Sequence, residues 1–553
     1  MKKGGSSRRA PKGAGLSQTW LLRLGFVLVG ALILCFITLA AESVKSPAVA
    51  RADETSTEAT TTTTSPDGTA GPGEAGTTTT SEPVTTTTSE AGTTTTTTPP
   101  NQPTSVDVDV VVYSTQTSGL AAVRELALGA PQLRVALISC GNLLESPLVQ
   151  GLSVEDARDA DGMVGGFYAE WRQTVQRYYA LMGMKAANSS GRFVYEPEVA
   201  AKVMWSFVSG ANASNVLFYS GKLLDASDQG NDHYVDIQAE GSGLTRLKTR
   251  YFIDASVEGD LARMLGSDYR IGRDETVYND VAGRKPAYPS ADNNYVTAPQ
   301  RFSALLTLQV YPWGSAPRIS NLDHPNYNPS SYAGTVFAWK NVTAFSSSWS
   351  MQVAVLPSSK RELNETWSDW PDIGLAFQWI FEPDKRGDIR KRVLEWTINR
   401  VRYLQEHGYP RLGIATIPQK LYIREGPRIV GRDNYTVTDL RAGTARDSVA
   451  LGCYVEYDRH DNFLPNHIAT TRYVYMPMGA LMVAGHPDLL VSTAVSADYQ
   501  AYSSAVRMEP TRANLGGAAA MIIIAAELQK TDPSNVSYDT VKTLLYNRGY
   551  RTE

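Results

Sequence analysis

The sequence predicts an α/β fold that is built around a βαβ unit near the start of a large outer domain. Val110–Val112 is a short, wholly apolar and β-branched run, which is typical of a buried parallel strand. A polar turn over residues 114–118 leads to a helical pattern from Gly119 to Leu128, and Gly129 follows in the position of a left-handed helix cap. A second apolar strand, Leu133–Ile138, completes a unit of about thirty residues, the length of a nucleotide-binding βαβ unit.

The turn of this unit departs from the dinucleotide-binding pattern Gly-x-Gly-x-x-Gly. In that pattern the first glycine forms the turn, the second lets a pyrophosphate approach the backbone, and the third lets the helix pack closely on the strand. The corresponding residues are Ser114, Gln116 and Gly119. The second strand ends in Ser139 instead of the acid that would hold a ribose, and Glu145 is the nearest carboxylate beyond it. Taken alone, these residues favour a buried structural unit over a cofactor site.

The elements that follow are predicted from hydrophobic periodicity and from proline and glycine positions. Phe167–Met182 predicts a helix rich in aromatic residues and arginine. A further helix runs from Glu196 to about Ser209, with Pro197 in its first turn. Asn215–Ser256 predicts a strand meander.

The N-terminal segment predicts a membrane anchor. Residues 1–23 are basic and contain no acid, and Leu24–Ala41 is an uninterrupted apolar or small run of eighteen residues. This length is at the short end of what crosses a bilayer, and the positive flank is expected to stay in the cytoplasm. The segment therefore predicts one transmembrane signal anchor, with a cleaved signal peptide as the alternative. The C-terminal domain is expected outside the cell, either held by a single pass or secreted.

A low-complexity, Thr-rich linker is predicted over residues 42–105. From Asp53 to Ser105 the chain is mostly Thr, Ser, Pro, Gly, Ala and Glu, including the run Thr93–Thr98. Almost nothing apolar is available to offset the entropy of ordering such a segment. We expect a disordered stalk that holds the next domain away from the membrane.

The remaining 450 or so residues suffice for a large core and two joined lobes. Their composition and motifs argue against several classes of function. The formal net charge of −4 argues against nucleic acid as a partner. The absence of Cys-x-x-Cys and of paired-histidine spacing argues against a structural metal, and no Gly-x-Ser-x-Gly elbow points to a serine hydrolase. Cys140 and Cys453 lie in the outer domain, and the sequence leaves their pairing open.

Three blocks of the outer domain carry a family resemblance. Thr249–Glu275 reads TRYFIDASVEGDLARMLGSDYRIGRDE, and Ile417–Gly452 contains PQKLYIREGPRIVGRD. The third block, Leu489–Met521, reads LLVSTAVSADYQAYSSAVRMEPTRANLGGAAAM. Together they resemble the family of FAD-dependent oxidoreductases with a glutathione-reductase-like fold. The stretch between the first two blocks is the variable, substrate-facing part.

The resemblance implies an FAD/NAD(P)-binding Rossmann-like domain in two parts, residues 106–275 and 413–553, with a mixed α+β substrate lobe inserted at 276–412. It implies FAD as the cofactor and a small molecule as the substrate. The turn of the first block passes beside the flavin, and the N-terminal end of the helix in the third block faces the phosphate or the isoalloxazine. The expected cofactor-binding residues are Ser114, Gln116, Ser118, Gly119, Ser139, Asp254, Ala255, Glu258, Gly259, Arg507, Gly516, Gly517 and Ala518.

Two residues are expected to take part in the chemistry. His460 ends an Asp-Arg-His sequence where members of the family often have Asp-x-His, and the pKa of histidine suits proton transfer to a flavin. Arg424, in the second block, could clamp an anionic substrate or the charge of a reduced flavin. The alternatives are a surface-loop histidine and an arginine in an ion pair with Glu425 or Asp433.

Other polar residues of the blocks also have two interpretations. Arg507 belongs to the closing block and is expected near the cofactor. Asp254 and Glu258 either contact the cofactor or only cap the turn before the helix that begins at Asp260.

Departures from the family pattern leave two functions open. Ser492-Thr493 replaces the family's Ala-Gly, and Ala520 replaces its last glycine. With the altered turn and strand end, these residues place bulk near the expected phosphate, ribose and ring. The first hypothesis is an FAD-dependent oxidoreductase acting on a small organic or carbohydrate substrate. The second is a catalytically inactive flavoprotein-fold surface protein with a binding or adhesion role. A hydrolase or lyase of wall polysaccharide is a third candidate, which only the expected location supports.

Overall fold

The computed structural model describes residues 103–553 with the exception of 142, 231, 242, 279–295, 333–354, 365–371 and 462–464. The predicted membrane segment and residues 42–102 of the predicted Thr-rich linker lie outside the described residues, whereas Thr104 and Ser105, which were also predicted to be linker, belong to the first strand. Within the described part of the chain, no helix has the length and apolar character needed to cross a membrane.

The described residues form the following helices and strands. The helices are α1 (Thr117–Gly129), α2 (Ala160–Met163), α3 (Gly166–Leu181), α4 (Pro197–Val208), α5 (Asp260–Met264), α6 (Gly374–Phe381), α7 (Arg386–Glu406), α8 (Val437–Ala442), α9 (Tyr499–Tyr502), α10 (Glu509–Gln529) and α11 (Tyr538–Asn547). The strands are β1 (Thr104–Asp107), β2 (Val110–Tyr113), β3 (Val135–Ser139), β4 (Val216–Gln229), β5 (Asp232–Ala239), β6 (Gly243–Lys248), β7 (Tyr251–Asp254), β8 (Tyr269–Ile271), β9 (Asp274–Tyr278), β10 (Thr307–Val310), β11 (Lys360–Glu362), β12 (Leu412–Thr416), β13 (Arg428–Ile429), β14 (Ser448–Asp458), β15 (His467–Pro477) and β16 (Leu489–Val491).

An eight-stranded sheet organises the fold, in the order β1-β6-β5-β4-β3-β2-β7-β16. The strands β4, β3, β2, β7 and β16 are parallel to one another, and Val110 of β2 pairs with Val135 on one side and Tyr251 on the other. Residues of β2 and β3 are buried on both faces, which is why both strands read as continuous apolar runs. The predicted α/β fold with a parallel nucleotide-binding sheet is confirmed.

The chain between residues 215 and 256 is only partly the predicted meander. The strands β4, β5 and β6 are antiparallel neighbours, whereas β7 leaves them and returns to the centre of the sheet as the parallel partner of β2. The predicted helices at Phe167–Met182 and Glu196–Ser209 correspond to α3 and α4, and each bound is within one residue.

Glycines allow α10 to pack tightly against α1. A Cβ on Gly516 would overlap the carbonyl oxygen of Ser118, and one on Gly129 would lie 2.7 Å from the Cδ1 of Ile524. The prediction that Gly129 is a left-handed cap is wrong, since it is the last residue of α1, Ala130 is the cap, and Gly129 is not among the residues with positive φ. The residue is small because α10 passes beside it.

The described part of residues 276–412 contains both helices and strands. The strands β11, β10 and β12 form an antiparallel sheet, and α6 and α7 lie in the same stretch of chain. Buried apolar side chains between this sheet and α7 form a second core, which includes Leu306, Leu308, Val401 and Leu412. The long hairpin β14–β15 lies outside this lobe and brings Asp458 to its end.

Candidate functional site

The turn between β2 and α1 keeps the backbone of a dinucleotide-binding turn. Ser114 has φ = +84°, a left-handed conformation that glycine adopts without cost and that other residues adopt rarely. At the third position a Cβ would overlap the carbonyl oxygen of Ser114, so Gly119 is required for the close approach of helix and strand. The geometry that the first and third glycines normally provide is therefore present.

The second position of the turn is filled by a buried glutamine. Gln116 is 8% exposed, and its Oε1 has no hydrogen-bond partner among the described residues. Its backbone N–H faces the Ser114 hydroxyl at 3.4 Å. Because a glycine at this position is what lets a pyrophosphate approach the backbone, the glutamine side chain reduces that access.

A carboxylate from the loop after β3 lies at the turn. The Ser114 hydroxyl donates to Glu145 at 2.7 Å, and the Thr115 N–H donates to the same oxygen at 3.0 Å. The other oxygen of Glu145 pairs with the Lys420 ammonium at 2.5 Å. Burial alone would raise the pKa of Glu145, but Lys420 together with the bonds from Ser114 and Thr115 holds it below its usual value.

Ser139 stands where a ribose-binding acid would be expected, and its hydroxyl is hydrogen-bonded to the loop that follows β3. Its hydroxyl donates to the carbonyl oxygen of Leu143 at 2.7 Å and lies 3.3 Å from the Thr115 hydroxyl. Glu145, the nearest carboxylate, reaches back to the turn instead of standing at the end of β3. The described contacts thus give the strand end no free acid for a ribose.

Hydroxyls at the start of α1 are also bonded within the chain. Ser118 shares a hydrogen bond with Thr493 at 2.6 Å, and Thr493 donates to the carbonyl oxygen of Ala255 at 2.7 Å. The hydroxyl of Thr117 donates to the Glu509 carboxylate and lies 2.7 Å from the Ser146 hydroxyl. These bonds join α1 directly to the end of β16 and to the first turn of α10.

The predicted residues of the first block shape the turn after β7. Asp254 accepts the N–H and hydroxyl of Ser256 at 2.8 and 2.6 Å and the N–H of Ala262 at 2.9 Å. Burial raises the pKa of Asp254 to about 6, against the lowering effect of these bonds. Glu258 accepts the indole N–H of Trp379 at 2.6 Å, and Gly259 has φ = +60° as the residue before α5. These contacts are those of the turn-capping alternative, and a direct role in binding the cofactor stays a prediction.

The predicted residues of α10 contact other helices. Gly516 faces Ser118, and a Cβ on Gly517 would overlap the Tyr550 side chain, while Ala518 is fully buried. At the N-terminal end of α10 the Glu509 carboxylate pairs with Arg512 at 2.8 Å. A carboxylate of the chain therefore occupies the first turn of the helix that the resemblance assigns to the flavin.

Asp458, at the end of β14, lies close to two of the predicted functional residues, Arg507 and His460. Arg507 binds it at 2.6 Å, and the Nε2 of His460 lies 3.8 Å from the same oxygen. Burial alone would raise the pKa of Asp458, but His460 and the charges of Arg507 and Arg424 hold it far below its usual value. Sequence reasoning missed Asp458 as a site residue, although the Asp-Arg-His sequence was the available signal.

Arg424 is connected to His460 through the loop that contains Arg301 and Ser303. Its guanidinium donates to the carbonyl oxygen of Arg301 at 3.0 Å and to the Ser303 hydroxyl at 3.1 Å, and the N–H of Arg301 donates to the carbonyl oxygen of His460 at 2.8 Å. Glu425, a predicted alternative partner, pairs instead with Arg428 and Arg459. Arg424 therefore braces the loop beside His460.

A cavity of about 350 Å³ is linked to this cluster through Tyr454, and Asp458, His460, Arg507 and Arg424 are not among its lining residues. Asp156 in its wall lies 3.4 Å from the hydroxyl of Tyr454, which lies 3.3 Å from Asp458. Burial raises the pKa of Asp156, while the charge of Arg507 opposes the increase. The wall is made of charged side chains and one aromatic ring, and includes Glu155, Asp156, Arg158, Asp161, Arg172, Arg192 and Phe193.

The two cysteines of the described residues are not joined by a disulfide. Cys140 is exposed and Cys453 is buried, and both are free thiols. Burial raises the pKa of Cys453 to about 11. Within the described ranges, no group of three or more His, Cys, Asp or Glu side chains is arranged to hold a metal ion.

Comparisons with known proteins place the chain in a family context. The family described as FAD dependent oxidoreductase matches residues 109–545. The comparison with curated proteins gives no match.

Solved structures give weaker likenesses. A flavoprotein/dehydrogenase from Cytophaga hutchinsonii is 9% identical, over 80% of this chain and 83% of that one, with a TM-score of 0.33. The p-nitrophenol 4-monooxygenase of Pseudomonas putida is 11% identical, over 80% and 87%, with a TM-score of 0.31. The L-proline dehydrogenase of P. horikoshii is 16% identical, over 32% of this chain and 27% of that one, with a TM-score of 0.18. The chain thus spans about a quarter of that last protein's length, and TM-scores this low add nothing to the family match.

Proposed function

Since the chain belongs to the family of FAD dependent oxidoreductases, we propose that it oxidises or reduces a small organic or carbohydrate substrate outside the cytoplasm. The family match confirms the predicted enzyme class and its FAD cofactor. The substrate class and the location are proposals.

The observation that carries the substrate proposal is the cavity whose wall residue Asp156 is linked to Asp458 through Tyr454. Its volume of about 350 Å³ suits a small molecule, and its wall alternates acids and arginines with the ring of Phe193. Charged groups of both signs can bind the hydroxyls and carboxylates of sugars and organic acids, and the aromatic ring can pack on an apolar sugar face. We therefore favour a polar, oxygen-rich substrate.

The residues of the Asp458 cluster, which do not line the cavity, have separable tasks. Arg507 holds the Asp458 carboxylate at 2.6 Å and so fixes the side chain that faces His460. We propose that the His460 side chain, whose Nε2 lies 3.8 Å from Asp458, takes a proton from a substrate hydroxyl or returns one. Arg424 positions the loop on which the backbone of His460 rests.

The turn after β2 does not fit a pyrophosphate in the observed arrangement. The hydroxyl of Ser114 and the N–H of Thr115 are bonded to Glu145, and Gln116 fills the second glycine position. Flavin supplies the redox chemistry of the family when it is bound.

Reduction of bound flavin by substrate tests the proposal. Protein incubated with FAD is mixed anaerobically with a panel of sugars, sugar acids and small organic acids, and loss of the oxidised flavin absorbance is followed. We expect at least one compound to bleach the flavin. Asp458→Asn should slow this reduction by on the order of a hundredfold without changing FAD uptake, because Arg507 and His460 lose their shared carboxylate.

A matched control separates this effect from a general loss of an ion pair. Asp236 pairs with Arg246 at 2.6 Å on β5, and Asp236→Asn should leave the reduction rate unchanged. Absence of bleaching by every compound, or an Asp458→Asn variant that reduces as fast as wild type, would contradict the proposal.

The proposed location rests on the N-terminal segment. A basic start, the apolar run Leu24–Ala41 and a long Thr-rich linker are the features of an exported, tethered domain. Protease added to intact cells should remove a C-terminal tag from the full chain while a cytoplasmic marker stays intact. A variant that lacks residues 1–41 should be protected. Protection of the full chain until the cells are lysed would show that the domain stays inside.

A further inference from the structure

A carboxylate of the chain itself occupies the anion-binding turn. The donors at the start of a βαβ helix are the groups that normally bind phosphate, since they combine free N–H groups with the positive end of the helix dipole. Here the Ser114 hydroxyl and the Thr115 N–H donate to one oxygen of Glu145, at 2.7 and 3.0 Å. Ser114, Thr115 and Glu145 are 5%, 0% and 6% exposed, so water does not compete for these bonds.

The segment that carries Glu145 is fastened over the turn. We call Leu143–Ser146 the strap. The N–H of Glu145 donates to the Thr115 hydroxyl at 2.9 Å, and the N–H of Ser146 donates to the Thr115 carbonyl oxygen at 3.1 Å. The Ser146 hydroxyl lies 2.7 Å from that of Thr117. Reciprocal bonds therefore hold the strap on the turn, and the carboxylate is not a loosely placed side chain.

Lys420 completes the arrangement from a distant part of the chain. Its ammonium lies 2.5 Å from the second oxygen of Glu145, and only 20% of its side chain is exposed. The neighbouring Glu145 raises the pKa of Lys420 to about 12 although burial opposes this. A buried ammonium is stable only beside an anion. The phosphates of a dinucleotide can supply that anion as well as Glu145 does.

We propose that Glu145 competes with the pyrophosphate of FAD for the turn, so that the cofactor binds only when the strap withdraws and Lys420 then pairs with phosphate. This rests on the FAD dependence stated under the proposed function. The same two donors and the same cation serve either anion, but not both at once. The apparent affinity for FAD is then the intrinsic affinity reduced by the fraction of molecules whose turn is open. Removing the carboxylate must strengthen FAD binding.

Titration of FAD into wild-type protein and variants, followed by flavin fluorescence, tests this directly. Glu145→Gln keeps the size of the side chain and loses the attraction to Lys420, and Glu145→Gly removes the side chain entirely. We expect both to bind FAD at least tenfold more tightly than wild type, with the glycine variant the tighter. Adding Lys420→Met to Glu145→Gly should cancel most of the gain, because the phosphate loses its cation.

Glu196 offers a matched control. It forms a carboxylate–lysine pair of similar burial with Lys360 at 2.8 Å, and its carboxylate also accepts from the hydroxyl of Tyr179, not from the turn. Glu196→Gln should bind FAD as wild type does. Circular dichroism of each variant confirms that the compared proteins are folded.

The outcomes separate the inference from the function on which it rests. If wild type binds FAD and both Glu145 variants bind it no more tightly, Glu145 is not a competitor, and the proposed function stands. If neither wild type nor any folded variant binds FAD, the proposed function and the competition both fail.

Discussion

Glu362→Gln is expected to be more stable than wild type at pH 8, by a margin that disappears in mild acid. Glu362 lies on β11 and is 1% exposed. One of its oxygens accepts the Ser153 N–H at 2.7 Å, and the other has no hydrogen-bond partner among the described residues. Burial raises the pKa of this carboxyl to about 8. The folded protein therefore holds a neutral acid there at neutral pH.

The sign of the effect follows from proton linkage. In the unfolded chain a glutamate carboxyl titrates near pH 4.3, so between about pH 4.5 and 8 the folded state binds a proton that the unfolded state releases. The free energy of unfolding of wild type should fall with rising pH in this window, by up to about 1.4 kcal/mol per pH unit. Glutamine resembles the neutral acid and binds no proton. Its advantage at pH 8 should be on the order of 4–5 kcal/mol.

Urea unfolding of wild type and Glu362→Gln at several pH values between 5 and 8 measures this difference. Glu240, which is exposed, supplies the control, and Glu240→Gln should follow wild type at every pH. Parallel stability curves for Glu362→Gln and wild type would show that the buried carboxyl is ionised in the folded protein.

Glu425→Ala is expected to lower the free energy of unfolding by about 3–5 kcal/mol. Glu425 is fully buried and is shared by two buried guanidinium groups, those of Arg428 at 2.8 Å and of Arg459. Arg459 also pairs with Asp461 at 2.6 Å and Arg428 lies 3.4 Å from Glu275, but neither of these carboxylates bridges the two guanidinium groups as Glu425 does. The alanine variant leaves the two guanidinium groups without their common carboxylate in a site that water does not reach.

Thermal unfolding monitored by circular dichroism checks this prediction. Asp384 pairs with Lys222 at 2.6 Å on the surface, where screening and side-chain entropy cancel most of the attraction. Asp384→Ala should melt as wild type does. If Glu425→Ala melts at the same temperature as this control, the buried network does not depend on the carboxylate.

Local sequence patterns predicted the central strands because strands that are buried on both faces appear in the sequence as continuous apolar runs. The continuous apolar run at β2 and the spacing to β3 gave the βαβ unit, and the structure places both at the centre of the sheet. Gly129 was misassigned because its reason lies about four hundred residues away, in the Ile524 side chain that a Cβ would approach. The return of β7 to the sheet was likewise a long-range event that local periodicity does not record.

The candidate site was predicted in part. The family blocks pointed to His460, Arg424 and Arg507; His460 and Arg507 do meet at one carboxylate, and Arg424 holds the loop beside His460. Asp458 itself and Asp156 in the cavity wall were missed. Tyr454 lies between them in the fold, but it is about three hundred residues from Asp156 in the sequence, and local patterns do not report such contacts. Glu145 was noticed only as the carboxylate nearest to the expected ribose, because the path of the strap cannot be read from composition.

The most direct test of the account is equilibrium dialysis of the purified wild-type protein and Glu145→Gly against FAD, with the visible spectrum recorded at each concentration. We expect both proteins to take up one FAD per chain, with bands that dithionite bleaches, and the variant to saturate at a lower concentration. Two well-folded proteins that both hold no more FAD than the surrounding dialysate at saturating FAD would contradict the assignment of an FAD-dependent oxidoreductase to this chain.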